Sequence, residues 1–389
     1  MGAVLEEMRG VWVVRHVLTS PEGISHAVET ARRAGLNALF VQVRGRGDAY
    51  YRSRLAPAGE GLPDAVPDFD PLDLVVREAH RAGMEVHAWV NVYLTWYPGA
   101  RRPKSPRHVL FAHPEWFMRS ADGIDMGDLD LVASDLVGRG VDGRYLSPCI
   151  PEVRAHLLGV IEEIVREYDI DGVHLDYVRY PNRHYDYNPI GRAAFVRQYG
   201  IDPVDFSAES EAPERRSQNA NMTRLWERWR VEQVSMLVDE AHRLILKVKP
   251  HVRLSAAVKP DLDQAYRQYG QDWIRWVNKR MVDFVVPMCY TTSADTLTAQ
   301  ILAAQKYLRK GYLYAGIGAY KHRSSYETLA QVSASRRLGL KGVILFSYDS
   351  LIENSETVDR LREGPFGRAA RIPHMWWKQD RYGVKVEAR

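Results

Sequence analysis

Strand-like and helix-like stretches alternate eight times along this chain. The strand-like runs are GVWVVR (10–15), NALFVQVR (37–44), EVHAWVNV (85–92), GVHLDYVRY (172–180), RLSAAVK (253–259), DFVVPMCYT (283–291), YLYAGIGAY (312–320) and GVILFSYDS (342–350). Amphipathic stretches lie between them. SPEGISHAVETARRAG opens on a Ser-Pro cap and stops at Gly35. DPLDLVVREAHRAG runs from Asp70 to Gly83, and SYETLAQVSASRRLG from Ser325 to Gly339. These are ordinary start and stop signals for helices. Short strands with apolar residues on both faces, separated by helices, predict a (β/α)8 TIM barrel. A doubly wound open sheet is the alternative. It calls for a glycine-rich phosphate turn after an early strand, and neither GxGxxG nor GxxxxGKS occurs.

Two connections are long, residues 93–151 after the third strand and 181–222 after the fourth. Both leave from the carboxyl ends of strands, the face where barrels build their sites. A disordered surface insertion over 207–222 is an equally good reading of that polar segment. The barrel is expected over 1–366. A tail, 367–389, packs on it through Trp376 and Trp377.

A barrel gives the polar strand residues a common destination. Alternate residues point inward, and those near the carboxyl end line the mouth. Strand four places His174 and Asp176 on that face, with Arg179 just beyond. Strand two offers Gln42 and Arg44, with Asp48 following. Strand three offers His87, Trp89 and Asn91. Strand five ends in Lys259, followed by Asp261 and Asp263. Strand six carries Met288 and Tyr290. Strand seven ends in Tyr320, Lys321 and His322, and strand eight in Tyr348 and Asp349. Singly, each has a plain structural reading: a strand histidine is usually a core residue, Asp349 suits a cap, Trp89 suits packing. Convergence of seven polar or aromatic strand tips favours a pocket.

Bulk properties narrow the ligand. With 53 basic and 49 acidic residues, the net charge is +4. That balance, without a dense basic block, argues against nucleic acid. No apolar run is long enough to cross a bilayer. The start, MGAVLEEMRGVWVV, lacks the pattern of an export signal. Cys149 and Cys289 stand far apart, as reduced buried thiols do, and no cysteine-based metal site is expected. The oligomeric state is not legible.

Carboxylates beside aromatic rings and Arg, Asn and Gln donors suit a sugar. Rings stack on Trp and Tyr, and two acids cleave a glycosidic bond. A serine nucleophile lacks its GxSxG elbow. A metal held by His87, His174 and Asp176 is the weaker alternative, since no HxH or HExxH pair supports it. No cofactor is implied.

The motifs EMRGVWV, VQVRGRGDAYYRSRLAP, HAWVNVY, HPEWFM, YLSPCIPEVR, DGVHLDYVRYP, DFVVPMCY and GVILFSYDSL occur in this order from about Met8 to Ser350. Together they resemble the glycosyl-hydrolase-like barrels that include bacterial glycosidases acting on denuded peptidoglycan strands. The resemblance implies a carbohydrate-active barrel distantly related to the α-amylase and α-galactosidase type. It implies a polysaccharide or oligosaccharide substrate, and a place in the cell envelope or outside the cell. In that wider group a strand-four Asp is the nucleophile or key carboxylate; the matching residue is Asp176, with Arg44, His174 or Arg179 as partner. The amylase-type Glu on strand five is missing from RLSAAVKPDLD. The second carboxylate is therefore open, with Asp349, Asp261, Asp48 and Asp263 as candidates in that order.

Overall fold

A computed structural model describes residues 5–62, 69–97, 101–206 and 213–378. Eight parallel strands close into one barrel: β1 Met8–Val13, β2 Ala38–Arg44, β3 Glu85–Asn91, β4 Gly172–Asp176, β5 Arg253–Val258, β6 Phe284–Cys289, β7 Ala315–Ile317 and β8 Gly342–Leu345. Neighbours in sequence are neighbours in space. The seam is closed where Gly342 of β8 sits opposite Met8 of β1. The barrel helices are α1 Pro21–Arg33, α2 Pro71–Arg81, α3 Pro151–Glu167, α4 Pro213–Val248, α5 Trp273–Asn278, α6 Ala294–Gln305, α7 Ser325–Arg337 and α8 Glu356–Glu363.

Side-chain alternation produces two cores. Outward strand residues such as Val11, Leu39, Val41, Val86 and Val173 pack under the helices. Inward residues fill the barrel itself: Met8, Trp12, Phe40, Phe284, Val286, Tyr314 and Ile344. Both strand faces are buried, which is why the strands read as near-continuous apolar runs. Gly172 shows how tight the interior is. A Cβ there would lie 2.1 Å from His87 Nδ1, so the ring occupies the space a side chain would need.

Several strands end earlier than the sequence predicts. β4 stops at Asp176 because Tyr177 turns into the left-handed region, φ 49°. β8 stops at Leu345, and Tyr348–Glu353 is a helix instead of a strand tip. The third connection folds back on the barrel through an antiparallel pair, Leu94–Trp96 with Arg144–Tyr145. The fourth contains the helix Pro189–Tyr199 and then enters α4 at Pro213, so 213–222 is helix and not loop. Residues 207–212 lie outside the described residues. At the opposite end, Leu5–Glu6 pairs with Ala370–Arg371, and Met375 joins the interior cluster. Trp377 Nε1 donates to Asp283 Oδ1 at 2.7 Å, whereas Trp376 is exposed.

Candidate active site

The carboxyl end of the barrel opens into a cavity of about 470 Å³. Inward residues near the carboxyl ends of the strands face it: Gln42 of β2, Trp89 of β3, Asp176 of β4 and Met288 of β6. Residues just past the strands complete the wall, among them Arg15, Tyr177, Arg179, Lys259, Tyr290, Tyr320, Lys321 and Phe346. The third connection adds Tyr97 and Asp142.

Asp176 sits at the base of this wall, 7% exposed. The left-handed turn at Tyr177 costs about 1–3 kcal/mol for a bulky residue. It aims the Tyr177 N–H at Asp176 Oδ1, 2.7 Å away. Burial pushes the carboxyl above its ordinary range; Arg179, that N–H, Lys259 and the Trp89 indole oppose the shift without cancelling it.

Arg179 links this carboxylate to a second one. Its guanidinium lies 4.3 Å over the Tyr177 ring. It donates to Tyr145 Oη at 3.3 Å and stands 3.7 Å from Asp142 Oδ2. Burial alone would weaken its hold on the proton, but Tyr145, Asp142, Tyr177 and Asp176 outweigh that and strengthen it. Tyr145 in turn donates to Asp142 Oδ1 at 2.5 Å. Lys259 is pushed down to about 8, by burial first and Arg179 second, against the pull of Asp142 and Asp176. The opposite wall is aromatic. Tyr290 stacks on Phe346 with centroids 5.5 Å apart and meets Tyr320 edge-on at 5.8 Å.

Nine of the residues singled out in the sequence therefore line one cavity: Gln42, Trp89, Asp176, Arg179, Lys259, Met288, Tyr290, Tyr320 and Lys321. Others lie in the wall or beneath it. Arg44 is buried and donates to the Asn91 and Val92 carbonyls; its burial lowers its pKa to about 10. Asn91 donates to the Gly45 carbonyl at 2.9 Å. His87 stacks on Phe40 and reaches Glu85 at 3.3 Å. His174 Nδ1 meets Ser255 Oγ at 2.9 Å. The two histidines are thus interior residues below the mouth. Among the described residues, no three His, Cys, Asp or Glu side chains come together as metal ligands.

The four aspartates proposed as second carboxylate do not line the cavity. Asp349 pairs with His16 at 2.8 Å, and its neighbour Tyr348 bonds His26 Nδ1 at 2.6 Å. Asp261 caps the helix Leu262–Arg267 by accepting from Gln264 N. Asp263 pairs with Arg267 at 2.7 Å. Asp48 is buried and accepts from Arg46 N at 2.8 Å. Asp142 faces the cavity in their place. No strand pattern marks it; its one sequence signal is membership of the long third connection.

A model of the glycosyl hydrolase-like 10 family matches residues 7–327. The chain belongs to this family. It is 26% identical to glycosyl hydrolase YngK of Bacillus subtilis over 418 residues, covering 95% of the chain and 74% of that protein. It is 24% identical to glycosyl hydrolase DigH of Escherichia coli over 324 residues, covering 75% of the chain and 64% of DigH. Among solved structures, the PgaB (BpsB) glycoside hydrolase domain from Bordetella bronchiseptica superposes with a TM-score of 0.65 at 15% identity, over 95% of the chain and 100% of that domain. That likeness concerns the fold.

Proposed function

We propose that the protein hydrolyses glycosidic bonds of a polysaccharide, with Asp176 as the carboxylate on which the reaction depends. One observation carries the reading: a carboxyl group buried at the end of β4 faces a cavity walled by Trp89, Tyr97, Tyr290, Tyr320 and Phe346. A buried carboxylate without structural need is costly. Aromatic faces and a few convergent donors are what a sugar ring requires. The favoured substrate is a glycan of N-acetylated amino sugars, such as denuded peptidoglycan strands; an α-glucan or a galactosaminoglycan ranks next. This order rests on the family resemblance, and such a substrate puts the protein's work at the cell envelope.

The test is incubation of purified protein with denuded peptidoglycan, α-glucan and galactosaminoglycan, with products read by mass spectrometry. New oligosaccharides from the first are expected. Binding without cleavage of any glycan points to a carbohydrate-recognition barrel instead. Neither binding nor cleavage sinks both readings.

A further inference from the structure

We infer that Asp142 is the second catalytic carboxylate, the base that activates water while Asp176 protonates the leaving oxygen. The assignment rests on the glycosidase reading and gives that site its missing partner. Among the described residues, Asp142 and Asp176 are the two carboxylates on the cavity wall, and Arg179 faces both.

Their surroundings divide the roles. Asp176 is only 7% exposed and shares the cavity wall with Trp89 and Tyr290, a setting that favours the protonated acid. Asp142 is half exposed, 49%, and water reaches it. One of its oxygens accepts from Tyr145 and the other faces Arg179 at 3.7 Å. Both neighbours stabilise negative charge, and the looser contact leaves Oδ2 open to a water.

Asp142 is a loop residue, yet it is held. Tyr145 is fully buried and lies in the strand Arg144–Tyr145, paired with Leu94–Trp96. At Gly143 a Cβ would meet Leu94 Cδ1 at 2.3 Å and the Trp96 carbonyl at 2.4 Å. Only glycine lets the chain press against that arm, and the next residue back is Asp142. Tyr145 is a positioning residue that acts through Asp142.

In the reaction, Asp142 takes one proton of a water molecule as the water oxygen bonds to the anomeric carbon. The bond from that carbon to the leaving oxygen breaks, with its electron pair going to oxygen. Asp176 delivers its proton to the same oxygen. Solvent then returns a proton from Asp142 to Asp176. The product has inverted configuration.

The test uses denuded peptidoglycan strands and 4-nitrophenyl N-acetylchitotrioside, whose phenolate leaves without a proton. Asp142→Ala and the near-isosteric Asp142→Asn should each lose about a hundredfold to ten-thousandfold on strands. Azide should restore the alanine variant and give a glycosyl azide of inverted configuration. Asp176→Ala should fail on strands but keep most of its rate on the nitrophenyl probe. Tyr145→Phe should lower kcat with KM unchanged. Activity of Asp142→Asn within about tenfold of wild type overturns the assignment. So does azide rescue of Asp176→Ala in place of Asp142→Ala, or retention of configuration in the wild-type product seen by proton NMR. The asparagine variant keeps the test decisive if the alanine variant does not fold. A wild-type protein that cleaves neither these substrates nor α-glucan nor galactosaminoglycan refutes the glycosidase reading itself, and is told apart from these outcomes because no variant is involved.

Discussion

Asp176 is ionisable and nearly out of reach of water, and its neighbours determine what it does. Asp176→Asn keeps the volume and removes both the proton that the acid donates and the charge left behind. Because burial disfavours that charge, and Arg179 keeps Asp142 and Tyr145, the melting temperature should hold or rise slightly. Hydrolysis of denuded strands should fall by about a thousandfold, roughly 4 kcal/mol. Near-normal turnover, or loss of activity only through unfolding, would contradict this. Lys259 supplies a second test. Its pKa falls from 10.5 to about 8, so above pH 8 the cavity loses a cation that faces Asp176. The profile of kcat/KM should show an alkaline limb near that value, and Lys259→Arg should shift it upward. The linkage to stability has the opposite sign. Between about 8 and 10.5 the unfolded chain binds more protons at this group than the folded one, so its contribution to stability rises with pH. A loss of activity in that window is therefore not unfolding driven by Lys259. A limb unmoved in the arginine variant would rule this residue out.

Elements were legible where local chemistry sets their ends. Ser20 and Asp70 cap α1 and α2 by accepting from Gly23 N and Asp73 N. Gly35, Gly83 and Gly339 take left-handed backbone where the sequence signals stop those helices and α7. Asp70 does more than cap, since it also accepts from Tyr168 Oη at 2.7 Å. Asp70→Ala should cost about 1–2 kcal/mol in chemical denaturation and leave glycan cleavage unchanged. No measurable loss of stability would show that α2 is held by packing alone. The early part of α4 was less legible. Residues 213–222 are mostly polar and read as part of the connecting loop. The apolar spacing starts at Trp226 and Trp229, which pack on Phe195 and Phe206, and continues through Val234, Leu237, Val238, Ala241 and Ile245. Packing of that stripe, more than helix propensity, sustains the helix.

The whole molecule separates its two ends by function. The carboxyl end holds the cavity. The other end is closed by the tail: Met375 is 2% exposed within the interior cluster, and Lys378 Nζ meets Asp283 Oδ2 at 3.0 Å. Met375→Ala should destabilise the barrel by about 2–5 kcal/mol, seen as a lower melting temperature. The cavity lies beyond the packed interior from this residue, so KM should stay the same at temperatures where the variant is folded. A changed KM with unchanged stability would mean the tail acts on the site and not on closure.

The sequence by itself determined the fold class, because a two-residue period, short strands and capped helices repeat eight times and satisfy only a few layer arrangements. It also determined that Asp176, Trp89 and Gln42 turn inward, since alternation along a strand is a local property. Only the tertiary structure decided how high each inward residue stands. Strand stagger around a closed barrel sets that height, so His87 and His174 fall among packed rings while Lys259 and Tyr290 reach the mouth. It alone brought Asp142 beside Arg179, because a connecting loop carries no period and its place depends on contacts far along the chain.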